Sequence, residues 1–472
     1  MRVGFAARAA VLAAAGMAVA SLLAADVGPQ TKERFDVRAF GAKGDGTTKD
    51  TAAVQAALDA CARSGGGRVA VPPGTYLIGS IYLGDSTELH LEAGATLLGS
   101  PDLADYNAPD AYPQNWGSKN EGWSAKHLIL ALEKKGVSIT GRGVIDGNGR
   151  AFFDDKPRFV GKICWRDGGI NARDYKHQGR PGQEIVFIEC ADVEVRDVTF
   201  RDMSCWSCFF HGCENVTVGG VTVRNGLRNL NTDGFDVDSC RNVRIGDCDI
   251  VTGDDAIAIR GSPTRLKDPT KVCENVRVSN IVCRVSADGV RVGVGEGTIR
   301  DVLVENMTIL GAGRGLHVQC CYGESGKKGV DISGVTFSRV SIANVAAAVL
   351  VGAGAPFSRA SLSGITFRDV TAEAYSPTIV SGAGETRPEG VRFENCRFRM
   401  IRAPGRLPDD REAGKLSDSE IGAFRLERAG VVTFRNCALE WDNDVDPSLS
   451  RAFSLHDAPA PAVDGASAIR DR

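Results

Sequence analysis

Carboxylates crowd the stretch from Asn231 to Arg260, which reads Asn231-Thr232-Asp233-Gly234-Phe235-Asp236-Val237-Asp238 and then Gly253-Asp254-Asp255-Ala256-Ile257-Ala258-Ile259-Arg260. Asp233 and Asp254 are 21 residues apart. If that distance is close to one coil of a stacked repeat, Asp233, Asp254 and Asp255 fall on neighbouring rungs of one sheet edge. Their carboxyls then lie roughly 5–9 Å apart, the range in which paired carboxylates cleave sugar acetals. Crowded carboxylates cannot all ionise cheaply. One therefore holds a proton near neutral pH and serves as acid while another stays charged as base. Aspartates in turns commonly do no more than accept backbone hydrogen bonds, and Asp45, Asp146, Asp192 and Asp247 are assigned that role. A doubled aspartate after glycine, one coil from a second acidic motif, is harder to explain that way.

A scaffold able to place those residues is visible from residue 190 onward. Cys190-Ala191-Asp192-Val193, Cys213-Glu214-Asn215-Val216, Cys240-Arg241-Asn242-Val243 and Cys273-Glu274-Asn275-Val276 repeat one phrase. Weaker copies follow at Asp301-Val302, Gly334-Val335, Gly364-Ile365, Gly390-Val391 and Gly430-Val431, with steps of 23 to 40 residues. Each copy carries short alternating strands such as Val216-Thr217-Val218, joined by Gly, Asn and Asp, residues that tolerate left-handed turns. Strands so short bury a face only when coils stack. The expected fold is all-β, a right-handed parallel β-helix. An antiparallel sandwich or barrel would show turns every 8–12 residues without the longer period.

The chain has 472 residues, 56 of them glycine, with 43% hydrophobic content and a net charge of −3, so it is neither disordered nor equipped with a basic field for nucleic acid. Arg2 and Arg8 flank or interrupt an apolar run to Ala25, which reads as a signal peptide over 1–25 and implies a secreted or periplasmic protein without a membrane anchor after cleavage. Residues 26–456 are expected to form a single β-helix domain and residues 457–472 a loose tail. Asp50 to Ser64, with Val54, Ala57, Leu58 and Cys61 at helical spacing, is expected to cap the first coil. The 14 cysteines read as stacked buried thiols plus a few disulfides, with Cys205, Cys208, Cys213, Cys320 and Cys321 as unassigned candidates. No metal, cofactor or oligomer is expected. Trp116, Trp123 and Trp165 sit in loop-like stretches suited to walling one end of a cleft, whereas Trp206 is expected to pack within a coil.

The two acidic phrases resemble the main signatures of glycoside hydrolase family 28, the polygalacturonases and rhamnogalacturonan hydrolases. Phe35 to Gly46, Pro72-Pro73-Gly74-Thr75-Tyr76 and Gly143 to Gly149 resemble the family's N-terminal region. The resemblance implies inverting hydrolysis of a glycan without a covalent intermediate. Asp254 would protonate the leaving oxygen, Asp233 and Asp255 would activate water, and Asn231 and Asp236 would support the site. The sequence also departs from the family. Asp288 replaces the histidine of a Gly-His-Gly motif, and His317 and Gln319, in Gly315-Leu316-His317-Val318-Gln319, replace the Arg and Lys of an Arg-Ile-Lys motif. Losing those cations disfavours plain polygalacturonan and favours a rhamnose-containing or neutral pectic glycan, unless Arg260, Arg291 or Arg314 restores one. Asn231, Asp236, Asp288, Arg291, His317 and Gln319 are the substrate-binding candidates. Two other readings stay open: a lyase holding Ca²⁺ on Asp254, Asp255 and Asp288, and a non-catalytic glycan-binding β-helix.

Overall fold

Short strands of alternating burial, each too small to stand alone, stack in three parallel ladders. The computed structural model describes residues 33–119, 121–159, 172–176, 180–321, 329–356, 358–402, 422–445 and 449–472. One ladder runs through Ala191–Arg196, Glu214–Gly219 and the first parts of Arg241–Thr252 and Cys273–Val285. A second runs through Thr199–Arg201, Thr222–Arg224 and the later parts of the same two long strands. The third holds Ile129–Leu132, Ile185–Ile188, Cys208–His211, Phe235–Asp238, Ile257–Gly261, Asp288–Gly295 and Arg314–Gln319. The coil is a right-handed parallel β-helix, the hand that parallel crossovers almost always take.

The turn chemistry explains why the coils stay in register. Asp192, Asn215, Asn242, Asn275 and Asp301 occupy one column with φ between 54° and 59°, the left-handed region that Asn and Asp tolerate. Their side chains form a ladder: Asn215 Nδ2 donates to Asp192 Oδ1 at 2.9 Å, Asn242 to Asn215 at 3.0 Å, and Asn275 to Asn242 at 2.8 Å. Gly334, Gly364 and Gly390 continue the column at φ 61–67°. Of the aspartates assigned to turns, Asp45 accepts from the Thr47 and Thr48 N–H groups and Asp146 from the Asn148 N–H, whereas Asp192 and Asp247 accept from the side-chain amides of Asn215 and Asn280.

Inward Val, Ile, Leu and Phe make one continuous core, including a row of stacked rings from Phe337 through Phe367 and Phe393 to Phe434 with centroids 4.9–5.2 Å apart. Each such ring removed from water contributes about 1.5–3 kcal/mol. The helix Thr51–Arg63 packs Val54, Ala57, Leu58 and Cys61 onto the first coil, closing its apolar end.

Two expectations need correction. All 13 described cysteines are buried, Cys205, Cys208, Cys213, Cys320 and Cys321 among them, and no disulfide joins any two of the described residues. Cys190, Cys213, Cys240 and Cys273 instead fill equivalent interior positions, and the Cys213 N–H lies 3.2 Å from Cys240 Sγ. The stretch from Asp457 is not loose: Ala462–Val463 pairs with Thr433 and Phe434, Ala468 bridges Ala438, and Arg472 Nη1 donates to Val445 O. Backbone pairing along an otherwise open edge orders a segment that lacks hydrophobic periodicity. Glu33–Arg472 form one unit; the expected signal peptide lies outside the described residues.

Candidate active site

The third ladder carries the chemistry. Phe235 pairs with Ile257 and Ile257 with Val290, and the same register places Asp233, Asp255 and Asp288 in one column, with Arg314 beyond Asp288. Backbone bonds confirm the stacking: Gly234 N–H donates to Asp255 O and Ala256 N–H to Asp288 O, each at 2.9 Å. Asp254 joins from the turn preceding Asp255. Gly253 makes that turn possible, because a Cβ there would lie 1.9 Å from Asn229 O.

Asp233, Asp254 and Asp255 each bring one carboxylate oxygen within 4.8 Å of the other two. Asp233 is 4% exposed and Asp255 0%, whereas Asp254 is only partly buried and is the one open to a substrate. Burial, reinforced by Asp236, Asp254 and Asp255, drives the Asp233 carboxyl well above its ordinary value. Burial likewise raises Asp255, with Arg291 opposing and Asp288 and Asp254 assisting. Asp236 is pushed up to about 7 by burial against the pull of Arg260. Asp233, Asp236 and Asp255 therefore hold a proton more tightly than isolated carboxyls do, which makes each a stronger base once ionised. Among the described residues, Asp233 Oδ1, Asp236 Oδ2 and Asp255 Oδ2 are buried without a hydrogen-bond partner, although Arg291 Nη1 lies 3.1 Å from the last. The grouped oxygens of Asp233, Asp254 and Asp255 could also face a cation, but nothing beyond the acidic grouping points to one.

Asn231 supports the site through its backbone. At φ 56° it turns its N–H to Asp254 Oδ2 at 2.9 Å, and its side-chain oxygen accepts from Arg180 Nη2 at 2.9 Å. Arg180, fully buried, also donates to Ser204 O. Sequence reasoning missed it, since a lone cation 51 residues away gives no signal until the rungs are in register. Asp236 pairs with Arg260 Nη1 at 3.2 Å, and the same guanidinium lies 4.5 Å over the Trp206 ring.

The other four substrate-binding candidates, Asp288, Arg291, His317 and Gln319, are gathered, mainly around one another, with Arg291 also reaching Asp255. Asp288, 0% exposed, binds Arg314 through Nε and Nη2, lies 3.3 Å from Arg291 Nε, and meets His317 Nδ1 at 2.8 Å. His317 Nε2 is 2.7 Å from Gln319 Oε1, and Gln319 donates to Cys321 O. Burial tends to raise Asp288, but Arg314, His317 and Arg291 outweigh it and hold the carboxyl far below the usual range. Both His317 nitrogens face acceptor oxygens, which favours the imidazolium; burial nevertheless prevails and lowers its pKa. Asp288 adds no net negative charge to the cleft, because Arg291 and Arg314 compensate it. It is also no partner of Asp254 and Asp255 in a calcium site, since Arg314, Arg291 and His317 engage both its oxygens.

Trp206 does not enter the coil's interior. Leu130, Val186 and Phe209 alternate with inward Ala131, Phe187 and Phe210, so they mark the outer face of the third ladder. Trp206, Trp123 and Tyr112 pack there in a second apolar cluster, with Trp116 against it. Trp116 lies 6.1 Å from Trp123 and 6.5 Å from Trp206, and Arg265 sits 5.3 Å over Trp116. An aromatic wall thus stands on the rungs before the carboxylates. Trp165 lies outside the described residues.

A parallel β-helix with carboxylates from successive turns meeting on one outer ladder defines a class of carbohydrate-active proteins. Within it, residues 61–401 match the sequence profile of Glycosyl hydrolases family 28, and the chain belongs to that family. It is similar to a "Probable polygalacturonase" from Vitis vinifera, 29% identical over 309 residues, covering 57% of this chain and 59% of the relative. It also resembles an "Exo-poly-alpha-D-galacturonosidase" from Dickeya chrysanthemi, 31% identical over 313 residues, covering 58% and 50%. The chain thus spans about half to three fifths of these curated relatives. Among solved structures, the Yersinia enterocolitica family 28 exopolygalacturonase superposes with a TM-score of 0.70 at 19% identity, covering 92% of this chain and 79% of that one.

Proposed function

We propose that this chain is an inverting glycoside hydrolase acting on a pectic poly- or oligosaccharide. The convergence of Asp233, Asp254 and Asp255, with Asp254 alone partly open, carries the reading. Asp254 reaches the scissile oxygen and gives it a proton; Asp233 and Asp255, deeper, orient and deprotonate the attacking water. Oxygens within 4.8 Å are closer than the roughly 6.5–9.5 Å usual for inverting pairs. The direct-displacement stereochemistry therefore rests on family membership, not on spacing. NMR of the first-released anomer decides: retention would sink the inverting assignment.

The substrate is a rhamnose-containing or otherwise non-homogalacturonan pectic glycan. The relatives above are named for polygalacturonate, but here Arg291 and His317 are buried and already committed to Asp255 and Asp288. Little positive charge is left for a row of uronates. Turnover should be faster on rhamnogalacturonan oligomers than on oligogalacturonides; the reverse ranking refutes this specificity. The aromatic wall favours attack at chain ends, read as release of short products from the start of reaction. Products absorbing in the ultraviolet, lost with chelator, would mark a lyase instead. The basic-then-apolar start of the chain supports export, tested by whether the mature N-terminus falls near Asp26.

A further inference from the structure

Arg291 was a candidate for gripping substrate, yet its surroundings suit another task. Its side chain is 10% exposed, with Nη1 3.1 Å from Asp255 Oδ2 and Nε 3.3 Å from Asp288 Oδ2. One guanidinium thus lies within ion-pair distance of carboxylates on consecutive rungs. Asp255 Oδ1, for its part, accepts the Asp288 N–H at 3.0 Å. Arg314 and His317 hold Asp288 from the following rung. We propose that Arg291, anchored by Asp288, is a positioning residue that orients Asp255 and favours its ionised, base form, and that it is not a ligand for the substrate. The inference rests on the hydrolase reading and deepens it.

The charges around Asp255 show why such a device is needed. Asp233 faces it from the preceding rung with Asp236 beside Asp233, Asp254 from its own turn, and Asp288 from the next. Against these stand Arg291 on the next rung and Arg314 beyond it, with Arg260 near Asp233 and Asp236, while His317 is shielded by Asp288. Arg291 is the cation nearest the Asp255 carboxylate among the ion pairs. Removing it leaves a buried carboxylate among like charges, which shifts the balance further toward protonation.

The test compares wild type, Arg291→Gln and Arg291→Lys by pH dependence of kcat/KM and by ¹³C NMR titration of aspartate carboxyls, the Asp255 signal being identified by its loss in Asp255→Asn. The acidic limb and the Asp255 midpoint should both rise by about one unit or more in Arg291→Gln, an opposite charge at this distance being worth about 1–3 units. Arg291→Lys should restore part of the shift, and KM should stay within about twofold of wild type. An unmoved limb with KM raised tenfold or more would make Arg291 a substrate ligand and overturn the proposal; an unmoved limb with unchanged KM would make it merely structural. If Arg291→Gln does not fold, Arg291→Lys decides by the same split between limb and KM. If wild type turns over no glycan, the hydrolase reading fails, and the NMR midpoint still decides whether Arg291 favours the ionised form of Asp255.

Discussion

Asp255 and Asp288 occupy the same column on consecutive rungs and are equally buried, at 0% exposure. Their carboxyls are nevertheless driven in opposite directions. Asp255 is pushed up because burial and the neighbouring Asp288 and Asp254 outweigh Arg291. Asp288 is pushed down because Arg314, His317 and Arg291 outweigh the same burial. Depth alone does not set ionisation; the supply of cations does. The first environment suits proton chemistry, and the second suits a rivet.

The largest expected effect separates the two at the level of turnover. Asp254→Asn should lower kcat by about 10²–10⁴-fold, as loss of a general acid does, while calorimetric glycan binding persists. Abolished binding would argue against that role. Next comes stability. Asp288→Asn removes one half of a buried ion-pair cluster and should cost about 3–5 kcal/mol in urea unfolding, whereas Asp255→Asn relieves like-charge crowding and should cost little or even stabilise. Equal losses at both positions would erase the distinction drawn above.

Acid and alkali should then act with opposite sign on the two regions. Asp288, depressed in the folded state, contributes stability above the unfolded aspartate pKa of about 3.9 and loses it as pH falls below that value. Asp236, raised to about 7, contributes stability below about 3.9 and loses it as pH climbs toward 7. Urea midpoints measured across pH 3–8 should therefore show a slope between about pH 4 and 7 that Asp236→Asn reduces. An unchanged slope would mean that Asp236 titrates alike in both states. The smallest effect belongs to the Asn ladder, which serves as a control far from the column. At Asn242, φ 59°, alanine should cost about 1–2 kcal/mol and glycine less, since only alanine meets the left-handed penalty. Identical costs would assign the loss to the side-chain hydrogen bonds alone.

The repeat made the fold and the acidic triad legible, because one coil's length fixes which residues share a column once the period is seen. It was less informative about partners. Arg314 and His317 were visible as residues, but their attachment to Asp288 depends on which way each side chain leaves its strand, and a shift of one position reverses that. Trp206 was misplaced inward for the same reason. Arg180 lies two coils before Asn231, and no local pattern links them. The cysteines misled because an expected oxidising compartment suggested bridges, whereas their positions in successive coils called only for small apolar volumes.

Those thiols determine how the protein should be handled. With no covalent cross-link among the described residues, shape rests on packing and backbone pairing, so millimolar dithiothreitol should leave the melting temperature unchanged. Iodoacetamide should label the native chain only slowly, because burial raises Cys205 and Cys273 to about 12 and leaves scarcely any thiolate to react. The described residues can thus fold without an oxidative step, and activity should be indifferent to the redox poise of the medium.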